Sequence, residues 1–201
     1  AWLGSTLRIL RISFSGEMAY EIYVEADHGE TVWQHLMEMG AEFDIIPYGL
    51  EALGTLRIEK GHVTGAELDG RVTLADVNLE AMAVRKKWFV GKNLMQRLGL
   101  VDPARPRLVG LRSFDPKIPI ETGSILVTDA NAGVGADQQG WVSSVTYSPA
   151  LDSFIALGFL RNGCNRHGEL IYAVYPVKGQ TVVVEVVSNH FVDPHNQRVK
   201  G

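Results

Sequence analysis

Apolar and polar positions alternate first over residues 7–14, where Leu10, Ile12 and Phe14 share one face of a predicted strand. Ser15-Gly16-Glu17 signals a turn. A return strand follows over 19–24, with Tyr20, Ile22 and Val24 on one side and Glu21 and Tyr23 on the other. The period then changes to a helical one. Asp27 and Glu30 have capping-box spacing, Val32, Trp33, Leu36 and Met37 form an apolar stripe with Met39 near its edge, and Gly40 is a stop. Pro47 introduces a second predicted helix over 48–60, carrying Leu50, Leu53, Leu56 and Arg57 at helical spacing, with Gly61 just beyond its end. Residues 62–80 show little periodicity and read as a long ordered loop. A third short helix is expected over 90–98.

The character changes at Val101-Asp102-Pro103-Ala104-Arg105-Pro106, the best boundary in the chain. Beyond it lie short β runs at 108–112, 124–128, 140–147, 154–159, 169–174 and 181–187. The Gly- and Ala-rich stretch 130–139 reads as a mobile hairpin loop. Strands without intervening helices predict a small antiparallel barrel or sandwich. The expected class is α+β: antiparallel strands with two or three helices over 1–100, then a small all-β, jelly-roll-like antiparallel barrel over 107–201.

Composition narrows the function. The chain has 201 residues, is 46% hydrophobic and 21% charged, and carries a formal charge of −4. That is an ordinary globular balance. The Lys and Arg residues are scattered, the longest cluster being Arg85-Lys86-Lys87, so no basic face for a nucleic acid is implied. Cys164 is the single cysteine, which excludes an intramolecular disulfide and a Cys-rich zinc site and fits a reducing cytoplasm. No apolar run approaches the roughly 20 residues that span a bilayer. Ala1-Trp2-Leu3-Gly4 lacks the features of a signal peptide.

Several familiar motifs fail. Gly133 and Gly135 lack the third glycine of a dinucleotide-binding turn, and the six histidines never adopt a metal-ligating spacing. There is no P-loop and no nucleophile elbow. The informative stretch is Phe14-Ser15-Gly16-Glu17-Met18-Ala19-Tyr20-Glu21. It puts an aromatic before a glycine turn and a carboxylate on the return strand. A carboxylate can accept both donors on the edge of a pterin ring, and an aromatic can cover the ring face. Residue type alone leaves a plainer alternative open, a solvated Glu21 and a core Phe14.

This stretch resembles the T-G-E-x-G-[YF]-E signature of the glycine-cleavage T-protein, or aminomethyltransferase, family. Pro47-Tyr48-Gly49 with Leu56-Arg57-Ile58-Glu59-Lys60-Gly61 is similar to the family's P-x-G and L-R-x-E-K-G elements. Phe89-Val90-Gly91-Lys92 is similar to its F-[IV]-G-K element. Leu108-Val109-Gly110-Leu111, Gly140-Trp141-Val142-Ser143-Ser144, Ser148-Pro149 and Ile155-Ala156-Leu157-Gly158 resemble its barrel. Phe191-Val192-Asp193-Pro194 with Arg198 resembles the ending of the sarcosine oxidase alpha-subunit branch. The series runs in order through nearly the whole chain.

The resemblance implies tetrahydrofolate binding. Glu21 would hold the pterin edge, Phe14 would lie beside the ring, and Tyr20 and Tyr48 would line the pocket. Arg57 matches a family arginine and is equally readable as an ion pair with Glu59 or Glu21. Leu53 and Asn196 stand where glycine-cleavage members carry an arginine and a tyrosine. No catalytic residue and no metal ligand is expected within the chain. In the complete protein a one-carbon unit from oxidised sarcosine would pass to tetrahydrofolate, giving 5,10-methylenetetrahydrofolate, with flavin and NAD held in other parts or subunits. The expected partners are folate, the other sarcosine oxidase subunits and a second copy of the chain; nucleic acid and membrane are not expected. The chain opens well inside the family's folate module, so it is expected to be a truncated piece, inactive by itself. The competing expectation is a non-catalytic interaction module of the same fold.

Overall fold

The computed structural model describes residues 6–83, 86–131, 135 and 137–200. Ala1–Gly4, Arg85, Gly133 and part of the 130–139 loop lie outside the described residues.

The chain folds as an α+β protein whose centre is a closed antiparallel barrel. β3 (Pro106–Ser113), β4 (Ile125–Val127), β5 (Gly140–Ser148), β6 (Ser153–Arg161), β7 (Leu170–Tyr175) and β8 (Gln180–Val187) run in the order β3-β6-β5-β4-β7-β8. β8 pairs back onto β3 from Gly110↔Val187 to Ser113↔Val184, which closes the sheet and leaves no free edge. Inward side chains fill the barrel, among them Val109, Leu111, Leu126, Val142, Leu160, Ile171 and Val184.

The outer face of β3 and β6 is also apolar. Leu108, Ile155, Leu157 and Phe159 form a second core with Ile58 and Val77, flanked by Val63, Val72, Leu79, Trp141 and Phe191. Burial on both faces explains the nearly unbroken apolar run Phe154-Ile155-Ala156-Leu157-Gly158-Phe159-Leu160. The covering layer is the end of α2 (Leu50–Lys60) and the 62–80 loop. That loop is ordered without regular structure. Leu68 N donates to Thr64 O at 2.8 Å, and Leu108 N donates to Asp76 O at 2.7 Å, which ties it to the first barrel strand.

Only the last turn of α2 is sunk, with Arg57, Ile58, Glu59 and Lys60 all buried, whereas Leu50 is 85% exposed. Gly61 ends the helix at φ +79, and the Gly61 and His62 amides donate back to Ile58 and Arg57 carbonyls.

Upstream, β1 (Arg8–Leu10) and β2 (Glu21–Tyr23) pair antiparallel with Leu10 opposite Glu21. Both strands are shorter than the pattern predicts, because residues 11–20 form a folded loop. Ser13 Oγ receives Gly16 N at 3.0 Å and donates to Glu17 O. α1 (Gly29–Gly40) buries none of its residues. The expected Asp27 cap is not made: Asp27 lies in a 3₁₀ turn over Ala26–His28, and His28 occupies the cap position. In place of a helix over 90–98 there is a 3₁₀ turn, Leu94–Gln96, followed by the single-turn α3 (Leu98–Val101). α4 (Gln197–Lys200) ends the described chain.

Candidate functional site

The hairpin brings Glu21 to a half-buried position beside Tyr23. Strand alternation puts the two side chains on one face, and the Tyr23 hydroxyl donates to Glu21 Oε2. That hydrogen bond, with the carboxylate charge behind it, pushes the Tyr23 phenol up from its ordinary pKa. Glu21 Oε1 accepts nothing among the described residues, so one carboxylate oxygen is available to an outside donor.

Phe14 sits in the hairpin loop, 38% exposed, its ring centroid 6.2 Å from that of His62. Its carbonyl lies 3.0 Å from His62 Nδ1, which pins the loop to the residue after the α2 cap. Tyr20 precedes β2 and is open to solvent. Tyr48 precedes α2 and rims a recess of about 450 Å3 shared with Ala52, Thr55, Leu56, Glu59, Pro149, Ala150 and Arg198. Among the described residues, no hydrogen bond or ion pair joins Glu21 to Phe14, Tyr20, Tyr48 or Arg57.

Arg57 goes elsewhere. It faces the barrel, and its ion-pair partner is Glu67, not Glu59 or Glu21. Nη1 donates to Glu67 Oε2 at 3.1 Å and His62 O at 3.2 Å, and Nη2 donates to Ser144 Oγ at 2.7 Å. Glu67 is 1% exposed and also accepts from Thr64 N at 2.9 Å, Ser143 Oγ at 2.7 Å and Ser144 Oγ at 2.6 Å. Burial pushes its carboxyl upward. The hydrogen bonds from Ser144, Ser143 and Thr64, with the Arg57 charge, outweigh burial and hold it below the usual range.

Two consecutive serines can reach one carboxylate because β5 is bulged. Val142 pairs with Gly158 and Ser144 with Leu157, so Ser143 is an extra residue in the ladder. A regular strand would send the two hydroxyls to opposite faces. Sequence reasoning missed Glu67 because it lies in the aperiodic 62–80 loop. The adjacent serines in an otherwise apolar strand were the signal that could have found it.

Three separated motifs do converge. Gly16, at φ +87, is packed so closely that a Cβ would lie 2.6 Å from Lys60 Cδ. Lys60 Nζ donates to Asp193 O at 2.6 Å and to Asp193 Oδ2 at 3.1 Å, with both side chains buried. Phe191 N and Val192 N donate to Glu59 O at 3.0 and 2.9 Å. The glycine turn, the end of α2 and the Phe191–Asp193 segment therefore form one packed unit beneath the hairpin.

A helix, α2, seated on the outside of a closed six-stranded barrel, with a short hairpin held against its end, is the arrangement of the aminomethyltransferase T fold. The solved glycine cleavage system aminomethyltransferase T from Bartonella henselae superposes with a TM-score of 0.79 at 23% identity, covering 94% of this chain and 50% of that one. Residues 2–87 match the GCVT N-terminal domain, and residues 107–193 match the glycine cleavage T-protein C-terminal barrel domain. The chain belongs to the glycine cleavage T-protein family. It is 42% identical over 192 residues to the sarcosine oxidase subunit alpha of Rhizobium meliloti (strain 1021), covering 95% of this chain and 20% of that protein. It is 32% identical over 191 residues to the aminomethyltransferase of Halothermothrix orenii, covering 94% of this chain and 51% of that protein. It thus spans about a fifth of the former relative and about half of the latter.

Proposed function

We propose that this chain is the tetrahydrofolate-binding part of a sarcosine oxidase alpha subunit and serves to pass the one-carbon unit from oxidised sarcosine to tetrahydrofolate. In this reading residues 1–100 are the C-terminal part of the folate-binding domain and residues 107–201 are its barrel domain. The observation that carries it is Glu21: a half-buried carboxylate on a strand, with one oxygen fixed by Tyr23 and the other open. A pterin edge presents adjacent N–H donors, and the open oxygen suits them. The acceptor chemistry at Glu21 therefore fits the ligand. Phe14, Tyr20 and Tyr48 offer exposed aromatic surface of the kind that covers a ring.

Arg57 does not fit as a ligand contact, since its side chain is only 10% exposed and Glu67, Ser144 and the His62 carbonyl hold both of its terminal nitrogens. It acts as a positioning residue that seats α2 on the barrel. Tetrahydrofolate, when bound, supplies the nitrogen that accepts the one-carbon unit. This chain's part is to orient the ring through Glu21. The identity to the Rhizobium protein supports sarcosine as the donor, with flavin, NAD and the other subunits outside this chain.

Replacing Glu21 with Gln in the intact native protein removes charge assistance of about 1.5–3 kcal/mol. Calorimetry should show tetrahydrofolate binding at least about tenfold weaker. Equal affinity in both forms overturns the assignment.

A second reading, a non-catalytic interaction module, has its own observation. Trp33 (55% exposed), Met39 (70%), Phe43 (78%) and Ile46 (77%) leave a large apolar area open upstream of α2. Light scattering over a concentration series of this chain separates the two. Dimerisation indifferent to tetrahydrofolate supports the module, and a folate-dependent shift supports the binding reading.

A further inference from the structure

The hairpin that carries Glu21 buries little of itself, and both of its strands are only three residues long. A two-stranded ribbon of that size is not stable alone. Beside the contact of Phe14 with His62, its hold on the rest of the molecule runs through the last described residues of the chain. Asp193 is the hub. Its carboxylate receives Lys60 Nζ, Gln197 N at 2.9 Å and Arg198 N at 3.0 Å, which starts α4. α4 then reaches the hairpin at two points. Arg198 Nη1 donates to Glu17 Oε1 at 2.9 Å, and Arg11 Nη2 donates to the carbonyls of Val199 and Lys200, both at 2.9 Å. The circuit closes through Gly16, which rests on the buried Lys60 stem. Arg11 and Glu17 lie in the connection between β1 and β2, on either side of the Ser13–Gly16 turn.

We propose that Lys60, Asp193 and α4 form a clasp that orders the 11–20 loop and so sets the position of Glu21, making Arg198 and Asp193 positioning residues for the ligand edge. The ligand part of this inference rests on the folate reading above; the ordering part does not.

The clasp has a buried half and an exposed half. The Lys60 and Asp193 side chains are 5% and 9% exposed, whereas those of Arg198 and Glu17 are 55% and 45% exposed. The exposed half can be reversed without threatening the barrel. The test uses R198E, E17R and the double swap. Amide hydrogen exchange is followed at Glu21, Ile22 and Tyr23, with Leu157 of the barrel as an internal reference.

Each single reversal should speed hairpin exchange by up to about fivefold, the range of an exposed pair, and leave Leu157 unchanged. The double swap should restore the wild-type rate, which a merely destabilised surface would not do. In parallel, tetrahydrofolate binding to the intact native protein should weaken in each single variant and recover in the swap. Hairpin exchange that stays at the wild-type rate in R198E, or that the swap fails to restore, overturns the clasp. Exchange that responds as expected, with a folate affinity that neither R198E nor E21Q moves, keeps the clasp and overturns the folate reading.

Discussion

Removing the Glu67 carboxylate should be among the most damaging single changes in this chain. Glu67→Ala deletes the acceptor for Arg57 Nη1, Thr64 N, Thr64 Oγ1, Ser143 Oγ and Ser144 Oγ. Ser143 keeps the Leu157 carbonyl at 3.1 Å, and Arg57 keeps His62 O and Ser144 Oγ. The guanidinium itself loses its counter-charge while its side chain is only 10% exposed. Breaking one side of such a buried pair costs about 3–5 kcal/mol. We therefore expect about 4 kcal/mol for Glu67→Ala, a large share of the roughly 5–15 kcal/mol typical of a domain. The double variant R57M/E67L removes both charges and should cost less, about 2 kcal/mol, because no uncompensated ion remains and the residual loss is that of the unpaired Thr64 N–H and Ser144 hydroxyl. Urea unfolding gives these values, read by fluorescence and by far-UV circular dichroism to check that the transition is single. Trp141 is a local reporter, stacked 5.0 Å from Phe159 with Arg71 over its ring. A loss below about 1 kcal/mol for Glu67→Ala, or a double variant as unstable as the single, would refute the network as a buried pair.

The same carboxylate makes the fold acid-sensitive. Its folded pKa lies below its unfolded value, as does that of Asp76, where burial pushes up and the Arg105 hydrogen bonds and the Thr73 amide pull down. Their contribution is present above the unfolded values, near 4.5 and 3.8, and is lost as pH falls through the folded ones. Urea midpoints should therefore hold near neutrality and drop below about pH 4.5, and E67Q should flatten that drop. Gly61→Ala should destabilise by at least about 2 kcal/mol, since it combines a left-handed backbone with a Cβ 2.2 Å from the Asn189 carbonyl. Thermal unfolding checks this, and a change within 0.5 kcal/mol, the scale of an ordinary surface site, would contradict the packing there.

The barrel was legible because its rules are local. Period-two runs bounded by turns placed all six strands within a residue or two of their observed ends, as with 181–187 against Gln180–Val187. The first fifty residues were harder to read. The apolar stripe of α1 and the hairpin is real, but it covers nothing within the described chain, so pattern and burial part company. Asp27 and Glu30 had capping-box spacing, yet a 3₁₀ turn there moved the helix start past Asp27 and left Glu30 in the first turn of α1. Glu21 and Tyr23 were correctly placed on one face by alternation alone. The partner of Arg57 was not readable, because an ion pair between a helix and an aperiodic loop leaves no spacing to detect. The tie between Lys60 and Asp193 spans most of the chain and appears only once the fold brings the two together.

The extra serine in β5 carries a consequence for how this strand tolerates change in length. Val142 and Val145 both turn toward the barrel interior, three positions apart, whereas an unbroken strand repeats every two. Excising one of the two intervening serines would leave a plain Val-Ser-Val alternation. Every later side chain would keep its side of the wall, and the hydroxyl count at Glu67 would fall by one. Lengthening the segment by one more residue would instead either swell the bulge or slide every later residue two places along β6, away from its partner. Shortening is thus the gentle edit and lengthening the costlier one, the reverse of what holds in a surface loop.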